Sequence, residues 1–110
     1  MQINAYKTGW IFKRVKIACT LVAADVESLT RELAAFKSEL QEAIAEHGAQ
    51  CALIELIIAA GQASSRANRP AMTDFLKTEA DLKHMAAKCT VTVAFMNRMG
   101  DVEGRFRIKA

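Results

Sequence analysis

The run Cys51–Ala59, Cys-Ala-Leu-Ile-Glu-Leu-Ile-Ile-Ala, is the most apolar window of the chain, and Gly48 and Gly61 bracket it. Its nine residues are strand length and fall well short of the ~20 that a membrane-spanning helix needs. A continuous apolar run of this kind belongs in an interior, covered on at least one face. Two readings fit it: an interior strand, and a short buried helix favoured by the flanking alanines. Periodicity does not separate them. A strand is the expectation, and the architecture depends on it: a helix here would shrink the sheet to three strands.

The segments on either side fit a strand at 51–59. Residues 10–22 alternate, with Ile11, Val15, Ile17, Cys19 and Leu21 on one face and Phe12, Arg14, Lys16, Ala18, Thr20 and Val22 on the other. Lys13 is the exception on the apolar side. Period-two alternation with β-branched residues signals a strand. Asp25 then stands where a side chain can accept from the free amides of a helix start. Val26, Leu29, Leu33, Phe36, Leu40 and Ile44 recur every three or four residues, which predicts one long helix ending at Gly48. Strand, helix, strand is a crossover unit, so the two strands should be parallel and the crossover right-handed.

Beyond the apolar run, residues 61–69 are polar and aperiodic and read as a loop. Pro70 suits the first turn of a second helix with the stripe Met72, Phe75, Leu76, Leu82, Met85 and Ala86. Glu79 and Lys83 stand four apart in the favourable order. Residues 89–96 alternate as a third strand, Asn97–Asp101 make a turn around Gly100, and 102–109 alternate as a fourth strand. In that strand Val102, Gly104, Phe106 and Ile108 should share one face and Glu103, Arg105, Arg107 and Lys109 the other. The expected fold is α+β, β-α-β-α-β-β: a four-stranded mixed sheet with two helices on one face and the other face open.

The 110 residues suit a single domain spanning 1–110. Apolar residues make up 52% and charged residues 25%, enough apolar material for one core. No secretory signal and no membrane span is apparent. Three widely spaced cysteines, Cys19, Cys51 and Cys89, make neither a disulfide framework nor a metal-ligand pattern, which fits a reducing cytoplasm. They could approach one another across adjacent strands, although buried cysteines are usually small apolar core residues. His47 and His84 have no nucleophile or carboxylate partner close in sequence, and no glycine loop is shaped to cradle phosphate. Neither catalysis nor a cofactor is expected.

Charge is distributed unevenly. The net formal charge is +3, but residues 1–24 carry four basic and no acidic side chains, whereas 25–56 carry seven acidic and two basic. Two surfaces follow. Arg14 and Lys16 from the first strand should join Arg105, Arg107 and Lys109 from the last on the open sheet face, around Leu53 and Ile57 with Glu55 between them. Cations around an apolar patch attract phosphates or a carboxylate-rich protein, or simply guard a sheet edge. Stacking aromatics are nearly absent there, which weakens the case for nucleic acid. The second surface is acidic: Glu32, Glu39 and Glu46 recur every seven residues along the long helix, with Glu42 beside them. Such a stripe is commonly a solvated helix face; it could also stand in for phosphates in a basic groove.

One resemblance bears on function. Residues 70–76 read Pro-Ala-Met-Thr-Asp-Phe-Leu, Cys89-Thr90 opens the third strand, and Phe12-Lys13-Arg14 opens the first. In that order these residues resemble a family of small phage-encoded anti-CRISPR proteins that inhibit type II-C CRISPR effector nucleases. The resemblance covers about a dozen residues, most in one cluster, and assigns no functional residue. The C-terminal hairpin is basic here and more acidic in the family. What it implies is a non-enzymatic inhibitor that binds a nuclease protein in the cytoplasm of a bacterial host. The alternatives are a nucleic-acid-binding module using the basic sheet face, and a homo-oligomer that buries that face against its own copy.

Overall fold

The structure, a computed structural model, describes residues 2–8, 14–47, 51–59 and 63–110, with side chains described at 16–46, 53–59 and 67–110. The elements run β1 (Gln2–Thr8), β2 (Arg14–Val22), α1 (Val26–His47), β3 (Cys51–Ala59), α2 (Ala63–Thr78), α3 (Ala80–Ala86), β4 (Thr90–Met96) and β5 (Val102–Arg107). From β2 onward this is the expected β-α-β-α-β-β order, with the second helix divided into α2 and α3. The apolar run is a strand, and it is the central one.

The sheet runs β1-β2-β3-β4-β5. The three strands β2, β3 and β4 are parallel, and the flanking β1 and β5 are antiparallel to their neighbours. Strand β1 was not foreseen. It adds a fifth, outer strand through pairs from Gln2–Thr20 to Thr8–Arg14. The expected first strand is described from Arg14; residues 10–13 lie outside the described residues, as do Gly48 and Gly61.

One core lies between the sheet and the helices. Ile17, Cys19 and Leu21 of β2, Ile54, Leu56 and Ile58 of β3, and Val91, Val93 and Phe95 of β4 are buried. They share a cluster with Leu29, Phe36 and Leu40 of α1, Met72 and Leu76 of α2, and Leu82 and Met85 of α3. All three helices therefore cover the same face. The smallest extent of the molecule is 22 Å, which accommodates one sheet and one helix layer at about 10 Å per layer.

Helix α1 starts with a reciprocal cap. Ser28 N–H donates to Asp25 Oδ1 at 2.8 Å and Asp25 N–H donates to Ser28 Oγ at 3.2 Å. The Ser28 N–H first, and second the Ser28 hydroxyl, which donates to Asp25 Oδ1 at 2.8 Å, hold the exposed Asp25 carboxyl below its ordinary value of 3.8.

Two expectations for the second helix are corrected. Helical backbone begins at Ala63, so most of the expected 61–69 loop is helix and Pro70 lies inside it. The reason is tertiary. Asn68 Nδ2 donates to the Ala24 carbonyl at 3.1 Å, and Arg69 bonds Glu103 while its guanidinium sits 5.2 Å from the Phe95 ring centroid. These contacts offset the hydrogen bond that Pro70 cannot make. The helix then breaks at Glu79, whose backbone is extended and whose carboxylate accepts from Leu82 N–H at 2.9 Å, capping α3. Glu79 thus caps a helix start, where an ion pair with Lys83 was expected.

The hairpin closes as expected. Asn97 N–H donates to the Asp101 carbonyl, and Asn97 Oδ1 accepts from Met99 and Asp101 N–H. Gly100 takes φ +83°, a conformation that costs glycine little.

Candidate functional site

The face of the sheet away from the helices is built by alternation. Cross-strand partners point to the same side, so the register lines up Lys16, Leu53 and Thr90, then Ala18, Glu55, Thr92 and Arg107. Thr20, Ile57 and Ala94 follow, then Val22, Ala59, Met96 and Val102. No described element covers this surface, and Val22 is 64% exposed. Leu53 and Ile57 lie on it with Glu55 between them, as expected.

Glu55 is the hub. Its side chain is only 14% exposed, and Oε2 receives Lys16 Nζ at 3.3 Å and Arg105 Nη1 at 3.6 Å. Arg105 reaches it from β5, across β4. Two of the five cations expected here are thus turned inward onto one carboxylate. Arg107 and Lys109 are exposed, Lys109 beyond the end of β5; the side chain of Arg14 lies outside the described residues. Glu55 offsets one of these charges, so the expected basic face remains net positive around an apolar centre.

The alternation assumed for the last strand is corrected by a bulge. Glu103 pairs with Phe95 and Phe106 with Val93, so two residues, Gly104 and Arg105, stand against Ala94. Gly104 adopts φ +65°, with an ideal Cβ only 3.4 Å from Phe95 Cδ2. The extra residue reverses the phase. Val102 joins the open face beside Met96. Glu103 turns to the helix side, where Arg69 binds it. The glycine within the strand was the available signal for a bulge; the role of Arg69 had none, since its stretch read as loop.

The acidic surface lies on α1, on the opposite side of the molecule. Glu39, Glu42 and Glu46 are exposed and Glu32 is half-buried. The two cations of α1 are engaged elsewhere: Arg31 with Glu27 at 3.5 Å and Lys37 with Asp81 of α3 at 2.5 Å. Asp81 raises the Lys37 pKa above its ordinary 10.5 by hydrogen bonding and then by charge. No ion pair reaches the four glutamates among the described residues. At 1.5 Å per residue the stripe from Glu32 to Glu46 is about 21 Å long.

Three concavities flank these surfaces. A cavity of about 260 Å³ between α1 and α3 is walled by Leu33, Phe36, Phe75 and Met85, with Lys37 and Asp81 at its mouth. A neighbouring one of about 250 Å³ has His84 and Cys89 among its lining; the Cys89 thiol donates to the Met85 carbonyl at 3.4 Å. A shallow groove beside β5 runs between Pro70 and Phe106. No group of three His, Cys, Asp or Glu among the described residues could hold a metal ion. The three cysteines do not converge: by register Cys51 pairs with Val15 and Cys19 with Leu56, while Cys89 precedes β4. No helix among the described residues is long and apolar enough to cross a membrane.

Comparison with protein-family models, with curated proteins and with solved structures finds no match to this chain. The string Pro70–Leu76 lies wholly in α2. Met72 and Leu76 are core residues, and Pro70, Ala71 and Asp74 are exposed. Phe12 and Lys13 lie outside the described residues.

Proposed function

We propose that this chain is a non-catalytic binding protein whose α1 flank occupies a cationic groove on another protein. The observation that carries the reading is the set Glu32, Glu39, Glu42 and Glu46, which no ion pair among the described residues reaches, while Arg31 and Lys37 of α1 are paired elsewhere. A row of fixed carboxylates about 21 Å long matches the charge that a nucleic-acid backbone presents to its binding groove. Glu46 also sits at the negative end of the helix dipole, an arrangement that favours a cationic partner over isolation. The resemblance at residues 70–76 names the target class: an RNA-guided effector nuclease of type II-C, inhibited in the cytoplasm of a bacterial host.

Nucleic acid as the ligand is the second reading, through Arg107 and Lys109 on the sheet side. It has less support, because the Glu55 carboxylate already pairs with Lys16 and Arg105. A cleavage assay tests the proposal: purified protein is titrated against a type II-C effector nuclease, beside the variant Glu39→Lys, Glu42→Lys, Glu46→Lys. Inhibition by the wild type and its loss in the variant is the expected result. Absence of inhibition, with salt-sensitive binding to random DNA or RNA, would discard the inhibitor and favour the second reading.

A further inference from the structure

Strand β5 is an edge of the sheet, and among the described residues no strand pairs with its outer side. Ile108 N–H donates inward, to the Val91 carbonyl at 2.9 Å. Backbone groups alternate sides along an antiparallel strand, so Arg107 directs its N–H and carbonyl outward. Such an edge is a template for another extended chain. Helix α2 walls the space beside it. Arg69 of α2 binds Glu103 near the start of β5, and further along Lys77 Nζ lies 5.5 Å from the Phe106 ring centroid. Between helix and strand runs a groove of about 520 Å³, with Pro70 and Thr73 on one side and Phe95 and Phe106 on the other. An edge strand beside such a groove can take up a peptide as an added strand: main-chain bonds give affinity and alternate side chains enter the groove.

The charges select the occupant. Glu103 is held by Arg69, and Glu55 by Lys16 and Arg105; no ion pair among the described residues reaches Lys77, Arg107 or Lys109. Asp74 is the one carboxylate lining the groove among the described residues. Arg105 and Arg107 lie on the open-face side of β5, whereas Phe106 packs toward the helices. A strand laid against this edge sets its own side chains beside these. Carboxylates would stand opposite the arginines, and apolar side chains would enter the groove beside Phe106. We propose that the β5 edge binds an extended peptide of a partner protein in which acidic and apolar residues alternate. The β5 of a second copy does not fit, because it would bring Arg105 and Arg107 against like charges.

The bulge at Gly104 and Arg105 confines pairing to the part of the edge from Phe106 onward, about 13 Å of chain. So short an edge should bind weakly, with a dissociation constant of about 10–100 µM. The site shares no residue with the α1 stripe, so it does not depend on the nuclease reading.

Fluorescence anisotropy of a labelled octapeptide alternating glutamate and valine, titrated with the full chain to about 500 µM, tests this. Saturable binding is expected. Methylating the backbone nitrogens of the glutamates, which face β5 in this register, should abolish it. A peptide of the same composition with its glutamates in one block should bind at least about tenfold more weakly. The variant Arg107→Glu, Lys109→Glu changes two exposed side chains and should also bind at least about tenfold more weakly, with unchanged far-ultraviolet circular dichroism. Should it fail to fold, the methylated peptide against the wild type decides. The variant Glu39→Lys, Glu42→Lys, Glu46→Lys should bind the peptide like the wild type. Absence of saturable binding overturns the proposal, as does binding indifferent to methylation or to the order of residues. An oligonucleotide that binds more tightly than the peptide and is lost with Arg107→Glu, Lys109→Glu would assign the edge to nucleic acid and overturn it too.

Discussion

Ile57 and Ile58 are adjacent isoleucines on the central strand, one on each face, and they give the sharpest test of one-sided burial. Ile58 has no exposed surface and belongs to the core cluster; Ile57 is half-buried on the open side. Truncation of Ile58 to alanine removes three carbons. At about 0.8 kcal/mol per buried methylene that is about 2.4 kcal/mol, and the residual cavity brings the loss to about 3–4 kcal/mol. A domain of this size is stable by about 5–15 kcal/mol, so Ile58→Ala should lose about a fifth of that or more. The same change at Ile57 sacrifices only part of the transfer term and some strand preference, about 1 kcal/mol. With a urea slope of about 2 kcal/mol/M, the midpoints should fall by roughly 1.5–2 M for Ile58→Ala and about 0.5 M for Ile57→Ala. The measurement is equilibrium urea unfolding at sub-micromolar protein. Equal losses at the two positions would refute the reasoning, because both faces of β3 would then be buried within one protomer.

Other outcomes follow from single sites. Gly104→Ala should cost about 1–2 kcal/mol in urea unfolding, because it forces φ +65° on an alanine and brings its Cβ to 3.4 Å from Phe95; Gly100→Ala, whose Cβ meets nothing within 4 Å, should cost less. Glu79→Ala removes the acceptor for Leu82 N–H and should lower stability by about 1 kcal/mol, with faster amide exchange confined to α3. The Asp25 pKa is lowered on folding, so its contribution is complete above the unfolded value of 3.8 and is lost as pH falls through the folded one. Asp25→Asn should therefore be less stable than wild type at pH 6, and the difference should shrink as unfolding is followed below pH 4. The Lys37 pKa is raised, so its contribution is complete below 10.5 and is lost as pH rises through the folded value; Lys37→Met should flatten that alkaline limb.

Much of this fold could be read from hydrophobic periodicity. The α1 stripe, the β2 and β4 alternation and the central apolar strand each follow from side chains that must reach one core, and that requirement is local. What escaped the sequence depends on tertiary contacts. Residues 63–69 look like loop because their polar side chains have no local partner; Asn68 and Arg69 find theirs on Ala24 and Glu103, far along the chain. Strand β1 gains its place by pairing with β2, a partner that its own composition does not name. The Gly104 bulge moved Glu103 from the open face, where alternation placed it, to the helix side. Of the candidate residues, Lys16 and Arg105 are where alternation placed them, but their common attachment to Glu55 changes what they can do. The glutamates of α1 stand exposed or half-exposed, and that no ion pair among the described residues reaches them depends on the pairing of Arg31 and Lys37 elsewhere, which periodicity does not show.

The most direct test of the binding account is a titration of this chain against a type II-C effector nuclease with and without guide RNA, read by calorimetry. If the α1 carboxylates occupy the cationic groove that holds nucleic acid, the nuclease free of guide RNA should bind the wild type. Guide RNA should compete, and Glu39→Lys, Glu42→Lys, Glu46→Lys should bind at least about tenfold more weakly. Binding that is indifferent both to guide RNA and to the charge reversals, or no binding at all, would contradict it.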